Sequence, residues 1–118
     1  MILGRDQILN VKDIKTETIH VPEWDGDVKV KMLSGTEREE FESSLFDEKT
    51  GSVKTNMRNL RSRLISLCVV DDAGTRIFSD KDIEILSQKS ARALDRVFKI
   101  AQSLNAIGQK EMEDLTKN

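Results

Sequence analysis

Apolar residues recur at helical spacing most densely between Asn56 and Phe78, where Met57, Leu60, Leu64 and Leu67 form a stripe that Ile65, Cys68 and Val69 widen toward its end. The pattern predicts a helix that begins near Lys54 to Met57 and turns apolar on most sides in its second half. Such a helix has to lie inside the protein, so the rest of the chain is expected to pack against it. Asp71, Asp72, Ala73 and Gly74 stop the helix with turn chemistry, and the apolar pair Ile77 and Phe78 sends the chain back toward the core.

Upstream the period changes. Residues 1–13 mix apolar and polar positions without a period and read as an N-terminal arm. Over residues 14–33, Glu17, Ile19 and Val21 alternate with Thr16, Thr18 and His20, and Val28, Val30 and Met32 alternate with Lys29 and Lys31. This period of two predicts a β-hairpin turning at Asp25 and Gly26, with Ile19, Val21, Val28, Val30 and Met32 on its apolar face. Pro22 has no amide hydrogen for a ladder and belongs at a strand end or on an edge.

A two-stranded hairpin is marginal alone, and the helical core expected over residues 34–105 supplies the surface it needs. Thr36 and Glu39 form a capping box that opens a helix running to about Phe46, with Phe41, Leu45 and Phe46 inward. Asp47 to Thr55 is a polar loop. Ser79 caps the next helix, with Asp80 and Asp82 in its first turn and Ile83 and Leu86 as anchors. After a break at Ser87 to Ser90, the residues Ala91, Leu94, Val97, Phe98, Ala101 and Leu104 mark a second core helix, which Asn105 and Gly108 end. Residues 106–118 form a polar C-terminal segment anchored only by Met112 and Leu115. The expected class is α+β: one domain, with an N-terminal β-hairpin packed on about four helices.

Charge narrows the partners. Charged residues make up 34% of the chain, above the roughly 25% of an average protein, yet 19 Lys and Arg nearly balance 21 Asp and Glu. That balance gives no global attraction to nucleic acid or to an anionic membrane. Apolar runs such as Leu67 to Val70 fall far short of the roughly 20 residues of a membrane span. Met1 to Asn10 lacks the basic start, apolar centre and cleavage site of a secretory signal, so a cytoplasmic location is expected.

Candidate chemistry is sparse. His20 is the only histidine and Cys68 the only cysteine; His20 faces opposite to Ile19 and Val21, while Cys68 sits in an apolar stripe as a small hydrophobe. One Cys and one His cannot form a zinc site, and counting from Asp71 does not place calcium ligands at EF-hand positions. No phosphate-binding loop occurs. No catalytic, cofactor or metal residue is nominated, and a non-enzymatic protein is expected. Lys54, Arg58 and Arg61 fall at i, i+4 and i+7, a solvated helix face or a contact for an acidic protein, without the interleaved aromatics of a nucleic-acid platform. Trp24, at the hairpin tip beside Pro22, is either a lid packed on the core or an exposed anchor for a partner. Met112 and Leu115, apolar on a segment too short to be stable alone, point to docking on another chain.

Residue order adds a resemblance. Lys15 to Gly26 (KTETIHVPEWDG) and Met32 to Glu42 (MLSGTEREEFE) are similar to tail assembly chaperones of long, non-contractile tailed bacteriophages and their prophages. The similarity continues through NLRSRLI from Asn59, VDDAG from Val70, IFSDKDI from Ile77 and LSQKS from Leu86, and spans Ile14 to Leu104. It departs at Ile107 and Gly108, where a Ser or Thr cap for a last helix is expected. The resemblance implies a protein that binds the tape measure protein, keeps it soluble and helps recruit tail tube protein, and that is absent from the finished virion. It also implies a longer product of a −1 ribosomal frameshift; Thr116, Lys117 and Asn118 can be encoded as ACA AAA AAC, which contains a slippery heptamer. Covering an extended apolar partner with many small copies calls for self-association, into rings or a spiral. The alternative reading is a small structural virion protein such as a head-to-tail connector, and a nucleic-acid-binding regulator stands third.

Overall fold

The alternating segment folds as two antiparallel strands, β1 (Thr16–Val21) and β2 (Gly26–Lys31), in a computed structural model that describes residues 1–45 and 58–107. Ile19 lies opposite Val28 and Glu17 opposite Val30, so the apolar residues share one face as their spacing requires. Val21 and Val30 are fully buried, and Ile19 and Val28 pack partly covered against the core. The strands join through a 3-10 turn at Pro22–Trp24, closed by the Asp25 amide donating to the Pro22 carbonyl at 3.1 Å. Asp25 takes a left-handed conformation with φ 50°, tolerated by its short side chain.

The sheet has a third strand that periodicity did not indicate. Helical structure stops at Cys68, and Val69–Val70, labelled β3, pair antiparallel with β2, Lys29 opposite Val70 and Val30 opposite Val69. Both residues are β-branched and both are buried, which suits a strand better than a last helical turn. The turn residues that follow therefore reverse a strand. Asp71 Oδ1 accepts the Ala73 and Thr75 amides at 2.9 and 3.0 Å, and Gly74 supplies φ 85°. Phe78 packs on the core as expected, but Ile77 is 52% exposed.

Helical boundaries also move. In α1 (Arg5–Asn10), which forms within the arm, no residue is buried. In α2 (Gly35–Ser43) the cap is Ser34, not Thr36: Glu37 N–H donates to Ser34 Oγ at 3.2 Å and Ser34 N–H to Glu37 Oε1 at 3.0 Å. The shift is decided upstream, where burial of Leu33 fixes the end of the strand segment and leaves Ser34 as the first residue free to cap. Phe41 and Leu45 are buried; Phe46 lies outside the described residues. The central helix, α3 (Leu60–Cys68), starts after Asn59, whose left-handed φ of 57° breaks any helical continuity with Arg58. The predicted start near Lys54 to Met57 and the loop Asp47 to Thr55 lie outside the described residues.

From Leu64 to Cys68 every residue of α3 is buried. Its buried hydroxyls are paired, Ser66 Oγ donating to the Arg63 carbonyl at 2.8 Å and Ser62 Oγ accepting from Ser87 Oγ at 2.7 Å. A 3-10 turn at Asp80–Asp82 leads into α4 (Ile83–Leu86), anchored by buried Leu86. The last described helix, α5 (Ala91–Leu104), buries Ala93, Leu94, Val97 and Ala101 and packs against α3, β1 and β2. Ala91, read as part of its stripe, is exposed on the first turn.

Candidate protein-binding site

The hairpin tip and the α4 region enclose an open apolar groove of ≈ 460 Å³ lined by Trp24, Ile77, Phe78, Asp82, Ile85, Leu86 and Lys89. Three separate segments build it. Pro22 starts the short turn that carries Trp24, and Arg96 on α5 holds that turn by donating through Nε to Glu23 Oε1 at 2.9 Å and Oε2 at 3.2 Å. Those hydrogen bonds from Arg96 keep the Glu23 carboxyl below its ordinary 4.5. Trp24 is half-buried: it packs against the core and also lines the groove. Opposite it, Ile85 is 66% exposed, one residue out of phase with the anchors Ile83 and Leu86.

A second apolar surface lies on the arm. Met1, Ile2, Leu3, Ile8, Leu9, Val11 and Ile14 are all exposed, and no residue before Ile19 joins the core. Scattered exposed aliphatics are ordinary, but seven within residues 1–14 form a concentration that a folded surface rarely presents.

The two nominated arginines separate. Arg61, exposed on α3, donates through Nε to Asp95 Oδ1 at 2.6 Å and stacks 5.9 Å from the Phe98 ring centre, which ties α3 to α5. Arg58 sits in the turn before α3 with Nη2 3.5 Å from Glu84 Oε2, so the predicted helical row of Lys54, Arg58 and Arg61 does not form: Arg58 is not helical, and Lys54 lies outside the described residues. Met112 and Leu115 also lie outside them. The groove residues Ile77, Phe78, Ile85 and Leu86 were not nominated from sequence; the out-of-phase Ile85 was the available signal.

His20, Lys31 and Glu37 have structural partners. His20 Nδ1 lies 2.9 Å from Asp27 Oδ1 on the exposed face of the hairpin, away from buried Cys68. Burial pushes the Cys68 thiol from its ordinary 9.0 up to about 12, which removes the thiolate a nucleophile needs. Lys31 and Glu37 form a largely covered ion pair between β2 and α2. Among the described residues, no three His, Cys, Asp or Glu side chains gather as metal ligands, and no helix is long and apolar enough to cross a membrane.

A family model for the phage tail assembly chaperone matches residues 5–118. The chain belongs to that family. The solved structure of the bacteriophage HK97 tail assembly chaperone has the same fold, with a TM-score of 0.58 at 20% identity over 84% of this chain and 90% of that chain. No curated protein matches in sequence. The resemblance read from the residue order is thus upheld, as is the α+β class, now with a three-stranded sheet. The match to the tail assembly chaperone family begins at Arg5, the first residue of α1.

Proposed function

We propose that the chain is a non-enzymatic chaperone of phage tail assembly that binds the tape measure protein, keeps it soluble in the host cytoplasm and helps recruit tail tube protein around it. The observation that carries this reading is the family match over residues 5–118. Two apolar surfaces left open in the monomer, the arm and the Trp24 groove, support a protein whose work is contact with other chains. Self-association places many copies along one extended partner, where weak individual contacts add up and are still displaced one at a time by tube subunits. The chaperone leaves before the virion is complete, and a −1 frameshift near Thr116 to Asn118 supplies a longer form.

The test is co-expression with the tape measure protein encoded in the same tail gene cluster. Solubilisation and co-purification of that partner are the expected result. An insoluble tape measure protein, together with this chain retained in mature particles, would replace this reading with that of a head-to-tail connector.

A further inference from the structure

The sheet has an edge on either side, and one of them is closed. Beyond β3 the Asp71 amide donates to the Thr75 carbonyl at 2.9 Å, and Val70 forms an isolated antiparallel bridge with Arg76. The other edge is β1, 6 residues long, paired with β2 without a bulge and with no proline inside it. Its open backbone groups follow from the register. The Met32 amide donates to the Lys15 carbonyl at 2.9 Å, so by alternation Glu17 with Val30, Ile19 with Val28 and Val21 with Gly26 are the pairs that exchange hydrogen bonds. Thr16, Thr18 and His20 therefore turn their amides and carbonyls away from β2, as Lys29 turns its own toward β3. All three residues are exposed, and among the described residues no hydrogen bond fills those groups.

Glu17 selects what pairs there. It shares a face with Ile19 and Val21, lies opposite buried Val30, is exposed, and makes no ion pair among the described residues. A second β1 laid antiparallel so that Thr16, Thr18 and His20 are all used sets Glu17 against Ile19 of the other copy, with the two Glu17 carboxylates on the diagonal. The offset register that sets Lys15 against Glu17 leaves His20 unused. A carboxylate at this position disfavours full pairing between copies and is matched by a Lys or Arg on a foreign strand.

The geometry points to β1 as a docking edge for an extended segment of another protein, which adds a strand to the three-stranded sheet. The segment presents a Lys or Arg opposite Glu17 and an apolar residue opposite Ile19, with small or β-branched polar residues against Thr16 and Thr18 on the alternate side. Main-chain hydrogen bonds supply the affinity, and the cation supplies the selection.

The test uses the full chain, isotope-labelled for magnetic resonance, and a blocked peptide of sequence Val-Thr-Val-Thr-Lys-Thr, which runs antiparallel to β1 with its Lys opposite Glu17. Amide shifts confined to β1 and its neighbours, with slowed hydrogen exchange at Thr16, Thr18 and His20, are expected at about millimolar peptide. Replacing the peptide's Lys by Glu is expected to weaken binding roughly 5- to 30-fold, and Glu17→Lys in the chain to restore binding of that second peptide. N-methylation of the peptide at its threonines, whose amides face β1 in this register, is expected to abolish binding. Thr18→Pro removes an outward amide without breaking the β1–β2 ladder and is expected to block binding with unchanged circular dichroism; where it disturbs the fold, the Glu17→Lys swap decides. No shifts at millimolar peptide, shifts centred on another surface, or equal binding of the Glu-bearing or N-methylated peptide overturns the proposal. Exchange at Thr16, Thr18 and His20 that is already slow in the chain alone, accompanied by association in light scattering, also overturns it and would assign the edge to a second copy.

Discussion

The Leu33 amide donates to Asn105 Oδ1 at 2.6 Å, joining residues 72 positions apart. The same side chain donates through Nδ2 to the Ala101 carbonyl at 2.8 Å, and the Asn105 carbonyl accepts from Arg38 Nη1 at 3.0 Å. One residue thereby pins the junction of β2 and α2 to the end of α5. Asn105→Ala leaves the amide of buried Leu33 without this acceptor and is expected to destabilise the fold by about 1–3 kcal/mol. Urea unfolding followed by circular dichroism measures the loss; an unchanged midpoint would show the junction to be held by packing alone.

Glu37 brings pH into the same junction. Burial works against its charged form, but the hydrogen bond from Lys31, with that from the Ser34 amide, outweighs burial and holds the carboxyl below its ordinary 4.5. A carboxyl whose folded value is depressed contributes stability above about pH 4.5 and loses it as the pH falls through the folded value. Glu37→Gln is expected to cost about 1–2 kcal/mol at neutral pH, with the gap to the parent closing in acid. Unfolding curves of both proteins from pH 7 to pH 3 test this; a gap that stays constant would remove the charge from the explanation.

Cys68 is a reporter of opening. With its thiol buried and raised to about 12, it should resist thiol reagents in the native chain and react only on unfolding. A raised thiol value also means that stability is kept below about pH 9, the unfolded value, and declines as the pH climbs from there toward the folded one. Labelling kinetics across a urea series are the direct measurement, and rapid reaction in native buffer would contradict the burial.

Gly74 holds the turn after β3 at φ 85°, with open space where a side chain would go. Gly74→Ala therefore meets no clash, only backbone strain, and is expected to lower stability by about 1 kcal/mol. Thermal unfolding of the variant checks the size of the effect; a neutral result would mean that the turn relaxes to a negative φ.

Local pattern determined a large part of this protein. The period of two over Thr16 to Lys31 gave the hairpin its register, and the stripe from Leu94 to Leu104 made α5. The order of short turn and cap segments was enough to place the chain in its family. What sequence could not decide were choices between neighbouring residues of equal local merit and contacts made at a distance. Ser34 and Thr36 are equally able to cap, and the position of Leu33 against α5 selects between them. Val69 and Val70 continue a helical stripe until β2 offers them a ladder, because a two-residue strand exists only through its partner. Apart from the out-of-phase Ile85, the groove had no local signature, since Trp24, Phe78 and Leu86 come from three segments that only tertiary folding brings together. The exposed apolar arm was legible as residues but not as a surface, because exposure is a property of what the rest of the chain fails to cover.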